Sequence, residues 1–168
     1  MVEKFYPQMA VNTIYDIKID CFKHKNIKAV ILDVDNTLVR SNVKDADDYV
    51  IKWITILKQN GLKVAIVSNG RKRRVERFNE KLNLISVYNA GKPRKKGLLK
   101  AIKLLDVKPE QTAVIGDQIF TDIYGGNRIK AYTILVKPIG FRELFLTKIK
   151  RIFEIYVLWR YNKYVKSK

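Results

Sequence analysis

Asp33 and Asp35 stand one residue apart at the end of an apolar run, in the sequence AVILDVDNTLVR (29–40). Two carboxylates this close repel each other, and each loses hydration if the fold buries it. A bound cation is the first candidate for offsetting that cost, because hard divalent ions prefer oxygen ligands. Side chains at positions i and i+2 of an extended strand point the same way, so both carboxylates can face one bound group. The alternative is a solvated Asp-x-Asp turn.

Small polar, acidic and lysine side chains also follow three later apolar stretches. They are Ser68, Asn69 and Gly70, then Gly91 and Lys92, and finally Gly116, Asp117 and Asp122. If these stretches are strands of one parallel sheet, the side chains meet outside the carboxyl ends of the strands, where such sheets bind ligands. They predict a combined metal and phosphate site. The alternatives are a strand cap at Ser68 and a helix N-cap at Asp122.

The elements that must position these residues alternate along the chain. Hydrophobic patterns predict strands over 28–34, 62–70, 85–91, 112–118 and 131–138, and helices over 45–61, 71–83 and 95–107. This order is typical of a mostly parallel sheet with helices on both faces. We therefore predict an α/β, three-layer Rossmann-like fold in one domain over 1–168, with its core at about 28–138.

Length and composition suit one globular domain, with 168 residues of which 47% are hydrophobic and 30% charged. Cys21 is the only cysteine, which excludes an intrachain disulfide and fits a reducing, cytoplasmic location. The N-terminal sequence lacks the continuous apolar segment of a secretory signal, and no run approaches the ~20 apolar residues that span a bilayer. We expect Cys21 to pack against the core and His24, the only histidine, to lie on the surface.

The net charge of +18 is concentrated in two segments. Residues 71–100 carry eleven Lys and Arg against two Glu, and residues 137–168 carry nine against two. Such a field attracts nucleic acid, an anionic membrane surface or phosphorylated substrates. The alternative is a solvated, lysine-rich surface without a partner.

The basic amphipathic segment 141–168 has apolar residues at helical spacing. They are Phe141, Phe145, Ile149, Ile152, Tyr156 and Trp159, accompanied by Lys148, Arg151, Arg160, Lys163 and Lys166. A basic helix with aromatic residues is typical of a helix that lies in an anionic membrane interface. Residues 4–22 could form a second such element, and the alternative for both is packing on the core or a dimer interface. Nucleic acid is the less favoured partner because the sequence has no recognised binding module.

Four motifs resemble the haloacid dehalogenase superfamily of phosphatases, in the order that this family shows. They are DVDNTLV (33–39), VSNG (67–70), GKP (91–93) and GDQIFTD (116–122). The resemblance covers about 28–138. The first motif, the GKP form of the third motif and the short basic tail are most similar to the capless subfamily IIIA type. In particular they resemble the bacterial YqeG family, which is similar to mitochondrial phosphatidylglycerophosphate phosphatases.

The resemblance implies a role for the first two motifs. Asp33 would be the nucleophile that forms an aspartyl-phosphate. Asp35 would be the general acid that protonates the leaving oxygen and then the general base that activates water. Thr37, Ser68 and Asn69 would bind the phosphate, and Asn69 would also orient the Asp35 loop.

The last two motifs would supply charge and metal ligands. Lys92 would neutralise the phosphate, with Lys95 and Lys96 as rivals inside the start of the next helix. The resemblance implies Mg²⁺ as cofactor, with a ligand set of Asp33, the Asp35 carbonyl, Asp117 and Asp122. In this set Asp122 would act through water or by holding Lys92.

The resemblance implies a Mg²⁺-dependent phosphomonoesterase with an open site, because neither 35–68 nor 69–92 has room for an inserted cap domain. An open site suits a bulky substrate such as phosphatidylglycerophosphate. The alternatives are a nucleic-acid-end, nucleotide or sugar phosphatase and, from another class, a basic RNA- or ribosome-associated protein with a vestigial site. We expect a cytoplasmic protein that is peripheral at the membrane if the C-terminal helix binds lipid.

Overall fold

Six parallel strands place their carboxyl ends at one edge of a single sheet. The computed structural model describes residues 2–140 and 145–166. The strands are β1 (Met9–Val11), β2 (Ala29–Leu32), β3 (Lys63–Val67), β4 (Ile85–Val87), β5 (Thr112–Gly116) and β6 (Tyr132–Val136). They lie in the order β1-β6-β5-β2-β3-β4, and each of these pairings is parallel. The predicted α/β fold is confirmed.

Helices cover both faces of this sheet and make the fold three-layered. They are α1 (Ile19–His24), α2 (Asp48–Gln59), α3 (Lys72–Asn79), α4 (Lys95–Leu105), α5 (Tyr124–Arg128) and α6 (Phe145–Lys166). Val30 and Leu32 of β2 pack into one core with α2 and α3, whereas Ala29 and Ile31 pack into a second core with α4. A strand buried on both faces needs apolar side chains at every position, which explains the continuous run before Asp33.

The N-terminal residues form part of this sheet. β1 pairs in parallel with β6, with Met9 beside Ile134 and Val11 beside Val136. Phe22 of α1 is 1% exposed within the core. The interpretation of 4–22 as an interfacial helix is therefore wrong, and its alternative, packing on the core, describes this segment. His24 is exposed, as expected.

α6 is packed on one face and exposed on another. Val157 is buried with Ile119 and Leu135, and the ring of Tyr161 lies 5.6 Å from that of Tyr6. The exposed aromatic stripe of this helix consists of Phe153, Tyr156 and Trp159. The predicted positions Phe141, Phe145, Lys148, Ile149, Arg151 and Ile152 lie outside the side chains that the structure describes. Among the described residues, no helix has both the length and the apolar character to cross a bilayer.

The segments between the strands are as short as the sequence predicts. A loop and α2 connect Asp35 to β3, and the Asp47 carboxylate caps α2 by accepting the Val50 N–H at 2.8 Å. α3 and β4 connect Asn69 to Lys92. Within the described ranges, neither connection contains a cap domain, so the strand ends are not covered by one.

Candidate active site

Asp33 continues β2 by one residue beyond its last apolar position. Its N–H donates to the Ile115 carbonyl of β5 at 3.0 Å, so the backbone remains in the ladder at the edge of the sheet. The chain then turns sharply, because Asn36 has a φ of +64° and the Thr37 N–H donates back to the Val34 carbonyl at 3.3 Å. Asparagine tolerates this left-handed conformation better than most residues. The turn brings Thr37 to the end of β5.

Thr37 orients an acidic side chain of the next strand end. It is completely buried, and its hydroxyl donates to Asp117 Oδ1 at 3.1 Å. A threonine hydroxyl has one proton to donate. In this structure the proton is donated to Asp117, and phosphate binding by Thr37 remains a prediction.

The Asp122 side chain packs directly against Gly116 at the end of β5. A Cβ at position 116 would lie 2.3 Å from Asp122 Cγ, so Gly116 is required there. Asp122 Oδ2 accepts the Gln118 N–H at 3.1 Å, inside a single turn of π-helix, Ile119–Ile123. The N-cap interpretation is wrong, since Asp122 lies within this turn and its carboxylate is fixed by a residue four positions earlier.

Lys92 bridges two of the acidic side chains. Its Nζ lies 2.6 Å from Asp33 Oδ1 and 2.6 Å from Asp122 Oδ1, and its side chain is 3% exposed. The Asn69 amide holds the Lys92 backbone, accepting its N–H at 2.8 Å and donating to its carbonyl at 3.1 Å. Asn69 thus positions Lys92 and not, as predicted, the Asp35 loop. The rivals Lys95 and Lys96 are both exposed.

Three buried carboxylates converge beside this lysine. Asp33, Asp117 and Asp122 each place an oxygen within 4.8 Å of the others. Burial is the main cause that raises the pKa of Asp33 to about 6, although Lys92 opposes the rise. Burial also raises the pKa of Asp117 to about 8, with the negative charges of Asp122 and Asp33 adding to it. Both shifts favour the protonated, neutral form of these carboxyl groups.

Lys92 is the cation that contacts two of these carboxylates, Asp33 and Asp122. Burial lowers the pKa of Lys92, but the charges of Asp122 and Asp33 outweigh burial and hold it above its ordinary value. One ammonium therefore faces three carboxylates in a buried site. A divalent cation with oxygen ligands fits this donor set, because it would balance the remaining charge.

Asp35 lies apart from the three-carboxylate cluster and has a different partner. Arg74 of α3 donates from its guanidinium to Asp35 Oδ1 at 2.8 Å and to the Lys44 carbonyl at 3.2 Å. The sequence did not identify Arg74, because it is one of five basic residues between 71 and 77. Its position in the first turn of α3, directly after the VSNG motif, is the one signal that could have singled it out.

Ser68 completes the cleft at the sheet edge. It is buried, and its Oγ accepts the Gly70 N–H at 3.0 Å, which leaves the hydroxyl proton free to bind another group. Ser68, Asn69 and Lys92 line a cleft of about 70 Å³ together with Asp33 and Asp35. Two carboxylates and an ammonium in one small cleft are a set of groups that can carry out phosphoryl transfer.

Comparison with known proteins agrees with this chemistry. A family model of haloacid dehalogenase-like hydrolases matches residues 41–130. The probable phosphatase YqeG of Bacillus subtilis (strain 168) is 40% identical over 159 residues, which cover 94% of this chain and 92% of the relative. The mitochondrial phosphatidylglycerophosphatase GEP4 of Saccharomyces cerevisiae is 29% identical over 147 residues, covering 78% of this chain and 77% of the relative.

Solved structures show the same architecture. The cobalt-bound deoxy-D-mannose-octulosonate 8-phosphate phosphatase of Haemophilus influenzae superposes with a TM-score of 0.53 at 26% identity. The match covers 68% of this chain and 70% of that chain. The parallel sheet and the acidic residues at its edge thus occur here in a chain whose relatives are phosphatases.

Proposed function

The chain belongs to the haloacid dehalogenase-like hydrolase family and is a phosphatase, and from this we propose that it hydrolyses phosphomonoesters with Mg²⁺ through an aspartyl-phosphate on Asp33. The observation that carries the proposal is the bridge of Lys92 Nζ between Asp33 and Asp122, beside the carboxylate of Asp117. Phosphoryl transfer depends on such positioning and charge neutralisation.

In the first half-reaction, a carboxylate oxygen of Asp33 attacks phosphorus in line with the leaving oxygen. The bond from Asp33 to phosphorus forms while the bond from phosphorus to the leaving group breaks, and Asp35 donates its proton to the leaving oxygen. The Lys92 ammonium neutralises the phosphoryl oxygens, and the Ser68 hydroxyl donates to one of them.

In the second half-reaction, the Asp35 carboxylate takes a proton from a water molecule. The water oxygen attacks phosphorus, and the bond between phosphorus and Asp33 breaks. Inorganic phosphate leaves, with Asp33 ionised and Asp35 protonated again. Arg74, bound to Asp35 Oδ1, keeps this carboxylate in one orientation through both steps.

Asp33, Asp117 and the Asp35 carbonyl would hold Mg²⁺, with Asp122 at the edge of the ligand set through its bond to Lys92. Bound Mg²⁺ supplies charge neutralisation of the phosphoryl oxygens. Thr37 contributes by fixing the orientation of Asp117. We propose Mg²⁺ because octahedral oxygen coordination with several waters suits a site of few carboxylates.

For the substrate we propose phosphatidylglycerophosphate or another bulky phosphomonoester. Two observations support a bulky substrate: no cap domain covers the strand ends in the described ranges, and the cleft of about 70 Å³ accommodates little beyond the phosphoryl group. The rest of the substrate would then lie outside the cleft. The relative from Saccharomyces cerevisiae is named as a phosphatase of this lipid.

We propose that an anionic membrane surface is the partner that presents such a substrate. The aromatic stripe of α6 is exposed, and Lys163 Nζ lies 4.0 Å from the ring centroid of Trp159. Aromatic side chains beside basic ones are what an interfacial helix presents to anionic lipid.

A substrate panel tests the proposed function. The purified chain with Mg²⁺ is assayed on phosphatidylglycerophosphate, nucleotides, sugar phosphates, end-phosphorylated oligonucleotides and p-nitrophenyl phosphate. Asp33→Asn, which conserves side-chain volume, is the control for contaminating phosphatases. We expect kcat/KM to be highest for the lipid phosphate and activity to be absent in the variant. A nucleotide, sugar or oligonucleotide preference would select the alternative substrates, and complete inactivity would favour a vestigial site.

A further inference from the structure

An apolar groove of about 360 Å³ lies between β6 and α6 and adjoins the active site. Its lining is mostly apolar and includes Val11, Ile119, Leu135, Val136, Ile155 and Leu158. This volume falls in the range of pockets that bind small ligands. The mechanism proposed above does not use it.

The groove is formed by β1, β6, α6 and the segment that follows β5. Ala10 of the edge strand β1 is exposed and lines the groove, whereas its neighbours Met9 and Val11 also contact the core on the other face. Glu154 of α6 accepts the Ile119 N–H at 3.2 Å and so fixes the helix beside the end of β5. Ile155, one residue further on, is 66% exposed although it is apolar.

Asp117 places the groove next to the carboxylates of the phosphate site. This residue belongs to the three-carboxylate cluster and also lines the groove, and Ile119, two residues later, forms part of the apolar wall. An apolar surface therefore begins at Asp117, one side chain away from the position of a phosphate that contacts Asp33 and Lys92. Sugars and bases would find few hydrogen-bond partners on these walls, whereas a hydrocarbon chain would be removed from water.

We infer that this groove binds the apolar chain of a phosphomonoester substrate. The inference rests on the proposed function, since it names the part of the substrate that lies outside the cleft. The occupant is a hydrocarbon chain covalently linked to the phosphate that Asp33 attacks. Its contribution is to hold that phosphate in place, so it should increase kcat/KM with chain length until the groove is filled.

A series of alkyl phosphates tests this inference on the full chain. Ethyl, butyl, hexyl and octyl phosphate are assayed with Mg²⁺ below the concentrations at which they aggregate. Complete burial of one methylene predicts an increase in kcat/KM of up to about fourfold. Binding of ethylphosphonate and octylphosphonate, which are not hydrolysed, is measured by calorimetry as a readout that does not require turnover.

Two variants block the groove from different sides. Ala10→Trp fills it from β1, and Ile155→Asp places a charge on its α6 wall. Both positions are exposed, so the fold should tolerate them, and circular dichroism with ethyl phosphate turnover checks this. Val165→Asp is the matched control, because Val165 is a 52% exposed aliphatic residue of the same helix that does not line the groove.

We expect both groove variants to abolish the chain-length dependence and to leave ethyl phosphate turnover unchanged, while Val165→Asp behaves like the wild type. Equal kcat/KM for all four esters, or a dependence that persists in both groove variants, would overturn the inference while leaving the phosphatase intact. Tighter binding of octylphosphonate without hydrolysis of any ester would support the groove and refute the proposed function.

Discussion

Arg74 donates a hydrogen bond of 2.8 Å to Asp35 Oδ1, and this ion pair ties α3 to the loop that follows β2. The two side chains are 21% and 30% exposed, so water screens the pair only partly. The Arg74 guanidinium also lies over the Phe78 ring at 5.4 Å and donates to the Lys44 carbonyl. With three contacts, Arg74 is itself held in place and can act as a positioning residue for Asp35.

Replacing Arg74 by Gln should lower kcat by about 10- to 100-fold, a typical loss when a supporting residue is removed. In the proposed mechanism Asp35 protonates the leaving oxygen, so the loss should be greater for an alkyl phosphate than for p-nitrophenyl phosphate, whose leaving group needs little protonation. Steady-state kinetics with both substrates measure this difference. Arg73→Gln, an equal charge change at an exposed neighbour, is the control. Equal losses for the two substrates would argue against positioning.

Without metal, the stability of the protein should fall as pH rises. The pKa values of Asp117 and Asp33, raised to about 8 and about 6, lie above the ordinary 3.8, so the folded state binds these protons more tightly than the unfolded state. Their stabilising effect is complete below the unfolded pKa and is lost as pH rises through the folded pKa values. We expect the Tm in chelator to decrease between about pH 4 and pH 8.

Asp117→Asn should reduce that pH dependence, because it removes one of the two titrating groups. In the wild type at the upper end of this range, Mg²⁺ should raise Tm, and in the variant it should not. Differential scanning fluorimetry across pH, with and without Mg²⁺, provides both comparisons. Identical pH profiles of Tm for the two proteins would show that the pKa of Asp117 is not raised in the folded state.

The fold and most of the cleft could be predicted from the sequence because the carboxyl ends of parallel strands lie at the same edge of the sheet. Asp33, Ser68, Lys92 and Asp117 each follow an apolar run, and their convergence depends only on the strands being parallel and adjacent. The predicted strand 28–34 extended beyond the observed Ala29–Leu32, since the polar residues that end a strand do not reveal where the ladder stops. β1 was missed because three residues are too few to show a pattern.

Partners of individual side chains could not be predicted in the same way. Thr37 binds Asp117, which is 80 residues away, and Asp35 binds Arg74 at a separation of 39 residues. Such contacts depend on the orientation of a loop and on which face α3 turns to the sheet. The spacing of residues along the chain determines neither of these, so Thr37 and Asn69 were identified as site residues without the protein partners that the structure shows, Asp117 and Lys92.

Calcium should support little turnover where magnesium supports full turnover. Ca²⁺ accepts more ligands at longer distances, so it could bind both carboxylate oxygens of Asp33. Neither oxygen would then be available to attack phosphorus. The metal is stripped with chelator, and p-nitrophenyl phosphate hydrolysis is followed while each ion is titrated back. Full activity before any divalent ion is added would contradict the assignment of the carboxylate cluster as a metal site.

Binding to anionic vesicles should depend on the aromatic stripe of α6. Because α6 covers Ile119 and Leu135, removing the whole segment 141–168 would expose apolar core, and point variants are the cleaner test. Phe153→Ser combined with Trp159→Ser should weaken co-sedimentation with anionic vesicles. Neutral vesicles should not bind the wild type, and salt should weaken its binding to anionic ones. Tyr49→Ser, at a 76% exposed aromatic of α2, is the control. Unchanged binding of the double variant would exclude the stripe as the contact.

Trapping the covalent intermediate tests the central claim most directly. Asp35→Asn is mixed with p-nitrophenyl phosphate and Mg²⁺, since this leaving group departs without an acid while the missing base slows hydrolysis of the aspartyl-phosphate. Borohydride then reduces the acyl phosphate of an aspartate to homoserine, which peptide mass spectrometry locates in the chain. We predict homoserine at position 33 and nowhere else, and none when Asp33→Asn is added to the variant. An unmodified Asp33 during turnover, or homoserine at another aspartate, would contradict nucleophilic catalysis by Asp33.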